Sequence, residues 1–227
     1  AGDVDFIVNP TTIGVERLAR DPKFIVHKAT STRITYMQLH QGAEPKPDQN
    51  ATDGRNPLAD ARVRRAISLA IPREAITTRI LDNLAVPASQ IIPPGHSGYD
   101  PSLTVEAQDL EAARKLLAEA GYASGFDLRI STPSDRNMNG RRVTETIAAQ
   151  LTRIGIRAQV NAVPLNVWVT EWRRGQYSAV SHSVFPSGKF VIVTFKGRKI
   201  AITRGARALR SSRIALSSRS IWTRLLV

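Results

Sequence analysis

From Phe126 onward the chain alternates between strand and helix periods with almost no slack. Phe126, Leu128 and Ile130 alternate as a strand. Arg141–Ile154 then sets Val143, Ile147, Leu151 and Ile154 on one helical stripe, and Gly155 closes it. Ile156–Val163 reads as the next strand, Trp168–Arg174 as a short helix and Tyr177–Val180 as a further strand. A β-α-β-α-β order forces parallel or mixed strand pairing with right-handed crossovers, so the fold class expected is α/β.

Upstream, Asp60 is placed as an N-cap for a helix with Val63, Ala66, Ile67, Ala70 and Ile71 on its apolar stripe. Pro72 ends that helix and opens another at its first position, where a missing N–H costs nothing; Ile76 and Ile80 carry its stripe. Asp109–Ala120 sets Leu110, Ala113, Leu116, Leu117 and Ala120 on one face, with Glu111 four residues before Lys115 and Gly121 as the terminating residue. Two connections are polar or Pro-punctuated, Gln41–Asn56 and Val86–Tyr99. At the start, Val4–Val8, Phe24–Val26 and Ile34–Leu39 read as strands. Thr11–Arg20 is a short helix with Ile13, Arg17 and Leu18 on adjacent turns, ended by Asp21-Pro22. In the third strand Ile34, Tyr36 and Gln38 face one way and Thr35, Met37 and Leu39 the other.

The formal charge of +13 is unevenly spread. Residues 178–227 hold ten Lys or Arg and no acid, while residues 1–177 hold 22 basic and 19 acidic side chains. A nearly balanced domain with a basic tail is a different object from a basic domain. There is no cysteine, which excludes disulfides and thiolate metal sites. No run approaches 18 apolar residues, and no signal peptide is visible; the chain begins as though in mid-domain.

No catalytic set stands out, so the chain is not expected to be an enzyme. The histidines His27, His40, His96 and His182 are dispersed without the spacing of a helical metal pair, and neither metal nor cofactor is expected. The glycines match no phosphate or dinucleotide loop, no Ser sits in a nucleophile elbow, and Asp3 and Asp5 read as a strand's solvent face. Asp135–Arg142 leaves two readings open, a cleft-rim loop at a strand's C-terminal end or a polar loop with Asn139 as helix cap. Trp168 and Trp172, at i and i+4 beside Arg173 and Arg174, form either an aromatic recognition patch or a docking helix with one Trp in the core. In the tail, Phe190–Phe195 and Lys199–Thr203 are expected as a hairpin, followed by a Ser/Arg-rich stretch. That stretch is read as nucleic-acid-binding or as a disordered or non-native extension.

The run Asn56–Ile76 reads Asn-Pro-Leu-Ala-Asp-Ala-Arg-Val-Arg-Arg-Ala-Ile-Ser-Leu-Ala-Ile-Pro-Arg-Glu-Ala-Ile. It resembles the D-x-R-V-R-Q-A-L-x-x-A-I-D-R-E-A-I segment of family 5 extracellular solute-binding proteins, the dipeptide, oligopeptide and nickel receptors of ABC importers. Further matches follow in that family's order at Ile91–Pro94, Tyr99-Asp100-Pro101, Ala112–Tyr122, Gly125-Phe126 and Ile147–Ile156. Upstream, Ala1–Asp5 and Ser31–Leu39 are similar to two of its strands, so the resemblance covers residues 1–177.

The resemblance implies a two-lobed, hinged receptor without a catalytic step, acting in the periplasm or outside the cell and membrane-associated through its permease. The chain then divides into residues 1–30, the end of the first lobe and its crossover; 31–180, an incomplete periplasmic-binding-protein-like (type II) lobe with a mixed sheet flanked by helices; and 181–227, an atypical basic tail, disordered or frame-shifted. The implied partners are a peptide or other small solute and the permease subunits, with the chain itself a monomer that binds no nucleic acid. From topology, Tyr36, Gln38 and His40 on the lobe-entry strand, and Arg136 with Asn137 on the strand-end loop, are the candidate ligand contacts. In the family a W-x-x-D-x-x-D-P motif follows the strand aligned with Tyr177–Ser181, and in peptide receptors that region supplies an Asp for the ligand's α-ammonium. Here Ser181–Lys189 reads Ser-His-Ser-Val-Phe-Pro-Ser-Gly-Lys. A reading-frame change near residue 180 accounts for both this departure and the charge break, and family sequence in another frame of the encoding DNA is its test.

Overall fold

The computed structural model describes residues 6–8, 10–30, 34–46, 48–50, 54–94, 98–135, 139–184 and 189–195. They form eight strands and six helices: β1 (Phe6–Val8), α1 (Thr12–Arg20), β2 (Phe24–Thr30), β3 (Ile34–Leu39), β4 (Gln49–Asn50), α2 (Ala61–Ala70), α3 (Arg73–Ala75), α4 (Leu110–Glu119), β5 (Asp127–Pro133), α5 (Gly140–Arg153), β6 (Arg157–Val163), α6 (Leu165–Arg173), β7 (Ala179–Val184) and β8 (Lys189–Phe195).

The larger sheet is mixed, as the alternating grammar requires. β5 is its centre, parallel to β6 on one side and to β7 on the other. β3 runs antiparallel to β7, pairing Tyr36 with His182 and Gln38 with Val180. β4, inside the stretch expected as a plain linker, adds two residues antiparallel to the start of β5. Because side chains alternate across a strand, the register sorts the two faces. On one, Leu128 and Ile130 are fully buried with Ala179, and Met37 and Leu39 pack against them. This face is covered by α5, through Val143, Ile147 and Leu151, and by α2 and α4 through Val63, Ile67, Ala113 and Leu117. The other face is covered by α6.

Caps and turns follow residue chemistry. The Asp60 carboxylate accepts from Arg62 N at 2.7 Å and starts α2. Asp109 accepts from the amides of Glu111 and Ala112 and starts α4. Asn56, 3% exposed, donates its side-chain amide to the carbonyls of His40 and Gly42 at 3.0 and 2.7 Å and accepts from Leu58 N. One buried side chain thus ties the end of β3 to the entry of α2. After α3 the chain widens into one π turn, Ile76–Ile80.

Several expectations shift. In α1 the buried apolar residue is Val15, packed with Leu84, while Ile13 is 78% exposed. Ile71 falls at the C-cap of α2 and still packs, partly buried, against the same core as the stripe. Lys115 faces Glu119 at 4.0 Å, along the same helix face but not the expected partner Glu111. α6 begins three residues earlier than its Trp spacing suggests, and β7 spans Ala179–Val184 rather than Tyr177–Val180. β8 lies between β1 and β2, antiparallel to both, so Phe190–Phe195 pairs with the N-terminal strands; the other half of the expected hairpin, Lys199–Thr203, lies outside the described residues.

Candidate functional site

β2 leads to β3 and β7 leads to β8, so two chain segments join the small sheet to the large one, and β3 and β7 are neighbours at that junction. The parallel strands β5, β6 and β7 all point their C-terminal ends toward this junction, which is the edge where open α/β sheets hold ligands. Tyr36 lies near this edge on the face under α6. Its ring sits 4.8 Å from that of His182, which is 4.8 Å from Trp168. Trp168 in turn stacks on Trp172 at 5.7 Å with an interplanar angle of 11°. Tyr177 closes the cluster, 6.3 Å from Trp168.

Of the two readings of the tryptophan pair, the structure contains parts of both. Trp168 is 3% exposed and anchors α6 in the sheet, while Trp172 is 38% exposed. The Trp168 indole N–H has no acceptor among the described residues. Burial pushes the Tyr36 phenol above its ordinary range. It does the same to Tyr177, with the negative charges of Glu171 and Asp48 adding to the effect.

Of the five candidate contacts, the three described ones, Tyr36, Gln38 and His40, are spread along and just beyond β3 rather than gathered at one place. Gln38 lies further from the junction and accepts a hydrogen bond from Trp172 Nε1 at 3.3 Å. His40 lies beyond the end of β3 and lines a recess with Gln38, Lys46 and Trp172, away from Tyr36. Arg136 and Asn137 lie outside the described residues. Their flanks are held: Asp135 accepts from Leu165 N at 3.0 Å, at the start of α6. Asn139 occupies the N-cap position of α5 at φ 51° but makes no cap bond. Its amide donates to the Ile80 carbonyl at 2.8 Å instead. His182, Tyr177 and Lys46 were not singled out from sequence. The signal for His182 was the β3–β7 register, which residue spacing alone does not carry.

A mixed sheet flanked by helices and joined twice to a second sheet is the α/β lobe of a type II periplasmic binding protein. The model for bacterial extracellular solute-binding proteins, family 5 Middle, matches residues 1–191, and the chain belongs to that family. It is similar to the dipeptide-binding protein of Escherichia coli K12, 30% identical over 129 residues, covering 56% of this chain and 24% of that protein. It is also similar to di/tripeptide-binding protein 2 of Pseudomonas aeruginosa, 33% identical over 178 residues and covering 78% and 31%. The fold superposes on the ABC transporter-associated periplasmic binding protein DppA from Helicobacter pylori in complex with the peptide STSA, with a TM-score of 0.67, 24% identity and coverage of 82% and 33%. The chain therefore spans between a quarter and a third of the length of these relatives. The nucleic-acid alternative receives no support from any of these likenesses.

Proposed function

We propose that this chain contributes the second-lobe wall of a solute receptor serving an ABC importer, for peptides or a related small solute. The observation that carries the reading is the double connection of the two sheets through β2–β3 and β7–β8, the arrangement a hinge between lobes requires. The proposed division places residues 1–30 at the end of the first lobe, 31–180 in the second lobe and 181–227 in a basic segment that begins inside β7 and carries β8, which closes the small sheet against β1 and β2. The proposed setting is the periplasm or the cell exterior, with permease subunits as partners and no catalytic step.

Tyr36 at the junction edge, Gln38 and His40 further along and just beyond β3, and Arg136 with Asn137, which lie outside the described residues, remain the proposed solute contacts. A hinged receptor grips its solute from both lobes. Losing half the contact energy of a roughly 1 μM complex, about 8 kcal/mol in all, leaves millimolar binding. The test is calorimetry of the 227-residue chain against dipeptides and tripeptides, alone and after fusion across both connections to the first lobe of the Escherichia coli dipeptide-binding protein. Millimolar or weaker binding alone and micromolar binding in the fusion support the reading. Micromolar binding by the isolated chain overturns the two-lobe grip, and a folded fusion that binds none of these peptides overturns the solute class.

A further inference from the structure

The two sheets are joined a third time without a covalent link, through the segment that follows α3. Its first half belongs to the large-sheet core, where Ile76 is buried and Ile80 packs against the same cluster. Its last residue, Leu84, is buried in the other cluster, with Val15 and Leu18 of α1 and Phe24 and Val26 of β2. The backbone in between is wound to make that reach. Leu81 N donates to the Ile76 carbonyl at 3.0 Å across the π turn, and Asn83 N donates to the Thr77 carbonyl at 2.9 Å. Asp82 and Asn83 then stand in succession in the left-handed region, at φ 48° and 56°, a conformation that side chains with a Cβ hold at a cost.

A polar bond crosses at the same place. Asn139 sits at the N-cap of α5, but its amide is turned away from its own helix. It donates to the Ile80 carbonyl at 2.8 Å and reaches the Thr12 hydroxyl, at the start of α1, at 3.5 Å. A helix without its cap bond and a segment with two left-handed residues both give up local stability. What the two gain together is a joint with α1.

We propose that Ile76–Leu84 and the Asn139 side chain form a clasp that sets the angle between the two sheets, with Asp82-Asn83 as the element that releases it. The proposal rests on the reading of the chain as part of a hinged receptor: the β2–β3 and β7–β8 connections supply the hinge, and the clasp supplies the angle. Leu84 is seated by packing alone. Returning Asp82 or Asn83 to an ordinary backbone region withdraws Leu84 from α1 and frees the small sheet to turn.

The test uses the 227-residue chain, which has no cysteine, so spin labels go in cleanly through Arg17→Cys on α1 and Lys115→Cys on α4, both exposed. Double electron–electron resonance should read one narrow distance in this labelled protein. Leu84→Ala and, independently, Asn139→Gly should each add a second distance population. Glycine accepts the φ of 51° at residue 139, so Asn139→Gly removes the bridging amide while α5 loses no cap bond. Asp82 is exposed, so Asp82→Gly should keep the single distance, whereas Asp82→Val, which the left-handed region rejects, should produce the second. Amide exchange separates release from unfolding: the Leu81, Asn83 and Leu84 amides should exchange at least about tenfold faster in Leu84→Ala, while those of α5 keep their protection. If Leu84→Ala does not fold, the Asn139 and Asp82 variants decide the matter. An unchanged single distance in folded Leu84→Ala or in Asn139→Gly, or equal effects of Asp82→Gly and Asp82→Val, overturns the clasp. None of these readouts involves a solute, so failure of the receptor reading appears in the calorimetry and not here.

Discussion

Gly125 and Gly155 meet backbone to backbone: a Cβ on Gly125 would lie 1.7 Å from the Gly155 carbonyl oxygen. Both residues sit at positive φ, 71° and 99°, and each closes the turn that feeds a parallel strand, β5 and β6 respectively. Arg157 N donates to the Phe126 carbonyl at 2.8 Å just beyond them, so their approach sets where that strand pair begins.

The two glycines should therefore respond unequally to alanine. Gly125→Ala meets both the left-handed backbone penalty and an immovable carbonyl, and should cost at least about 3 kcal/mol. Gly155→Ala meets only the backbone penalty, since its nearest neighbour would be 3.9 Å away, and should cost about 1 kcal/mol. Urea denaturation of both variants checks the order. Equal losses would mean the turn shifts to relieve the clash.

Asn56 offers a pH-resolved test of the joint between β3 and α2. Its amide N–H groups face two carbonyl oxygens, so Asn56→Ala should cost about 2–3 kcal/mol at any pH. Asn56→Asp instead aims a carboxyl at those carbonyls in a buried site, which raises its folded pKa above the unfolded value of about 3.9. A raised folded pKa in an acid makes the penalty small below the unfolded pKa and growing as pH climbs through it. The stability gap between wild type and Asn56→Asp should therefore widen from pH 3 to pH 6, while the gap to Asn56→Ala stays flat. A flat profile for Asn56→Asp would show that the carbonyls are not where the amide bonds place them.

The fold was legible wherever local period and tertiary burial agree. In α5, Val143, Ile147, Leu151 and Ile154 recur at helical spacing and all are buried, so the pattern reports the packing directly. In β3 the alternation separated Met37 and Leu39 from Tyr36 and Gln38 correctly. In α1 the local period pointed to Ile13, but the helix meets β2 and Leu84 through Val15. That contact joins segments distant in sequence and leaves no periodic trace. The site was less legible for the same reason. Tyr36, Gln38 and His40 read as one row, yet a row running along a strand spreads them from the junction edge to the far recess. The partners that define each place, His182 for Tyr36 and Trp172 for Gln38, lie more than a hundred residues away and come only with the register of β7.

Asp60 links helix capping to acid stability. The Arg62 guanidinium, bonded to both carboxylate oxygens at 3.1 and 2.6 Å, holds the Asp60 carboxyl below its ordinary range. A depressed folded pKa contributes stability above the unfolded pKa of about 3.9 and loses it as pH falls through the folded value. Asp60→Asn keeps an oxygen for the Arg62 amide but removes the charge. Its deficit relative to wild type should be present at pH 7 and shrink below about pH 4. Asp60→Ala, which removes the cap as well, should retain a deficit of about 1 kcal/mol at low pH. Thermal melts across this range distinguish the two, and an Asp60→Asn deficit that persists unchanged at pH 3 would exclude the charge as its cause.

Trp168 allows ring packing and its indole N–H to be separated. Its ring fills the space between His182, Trp172 and Tyr177, yet its buried N–H has no acceptor among the described residues. Leaving such a donor unsatisfied costs about 1–3 kcal/mol. Trp168→Phe removes that donor while keeping most of the ring contact, so its loss should stay below about 1.5 kcal/mol. Trp168→Ala opens a cavity under α6 and should cost about 3–5 kcal/mol. Denaturation of the two variants checks the difference. If Trp168→Phe proves as damaging as Trp168→Ala, the indole N–H has an acceptor after all.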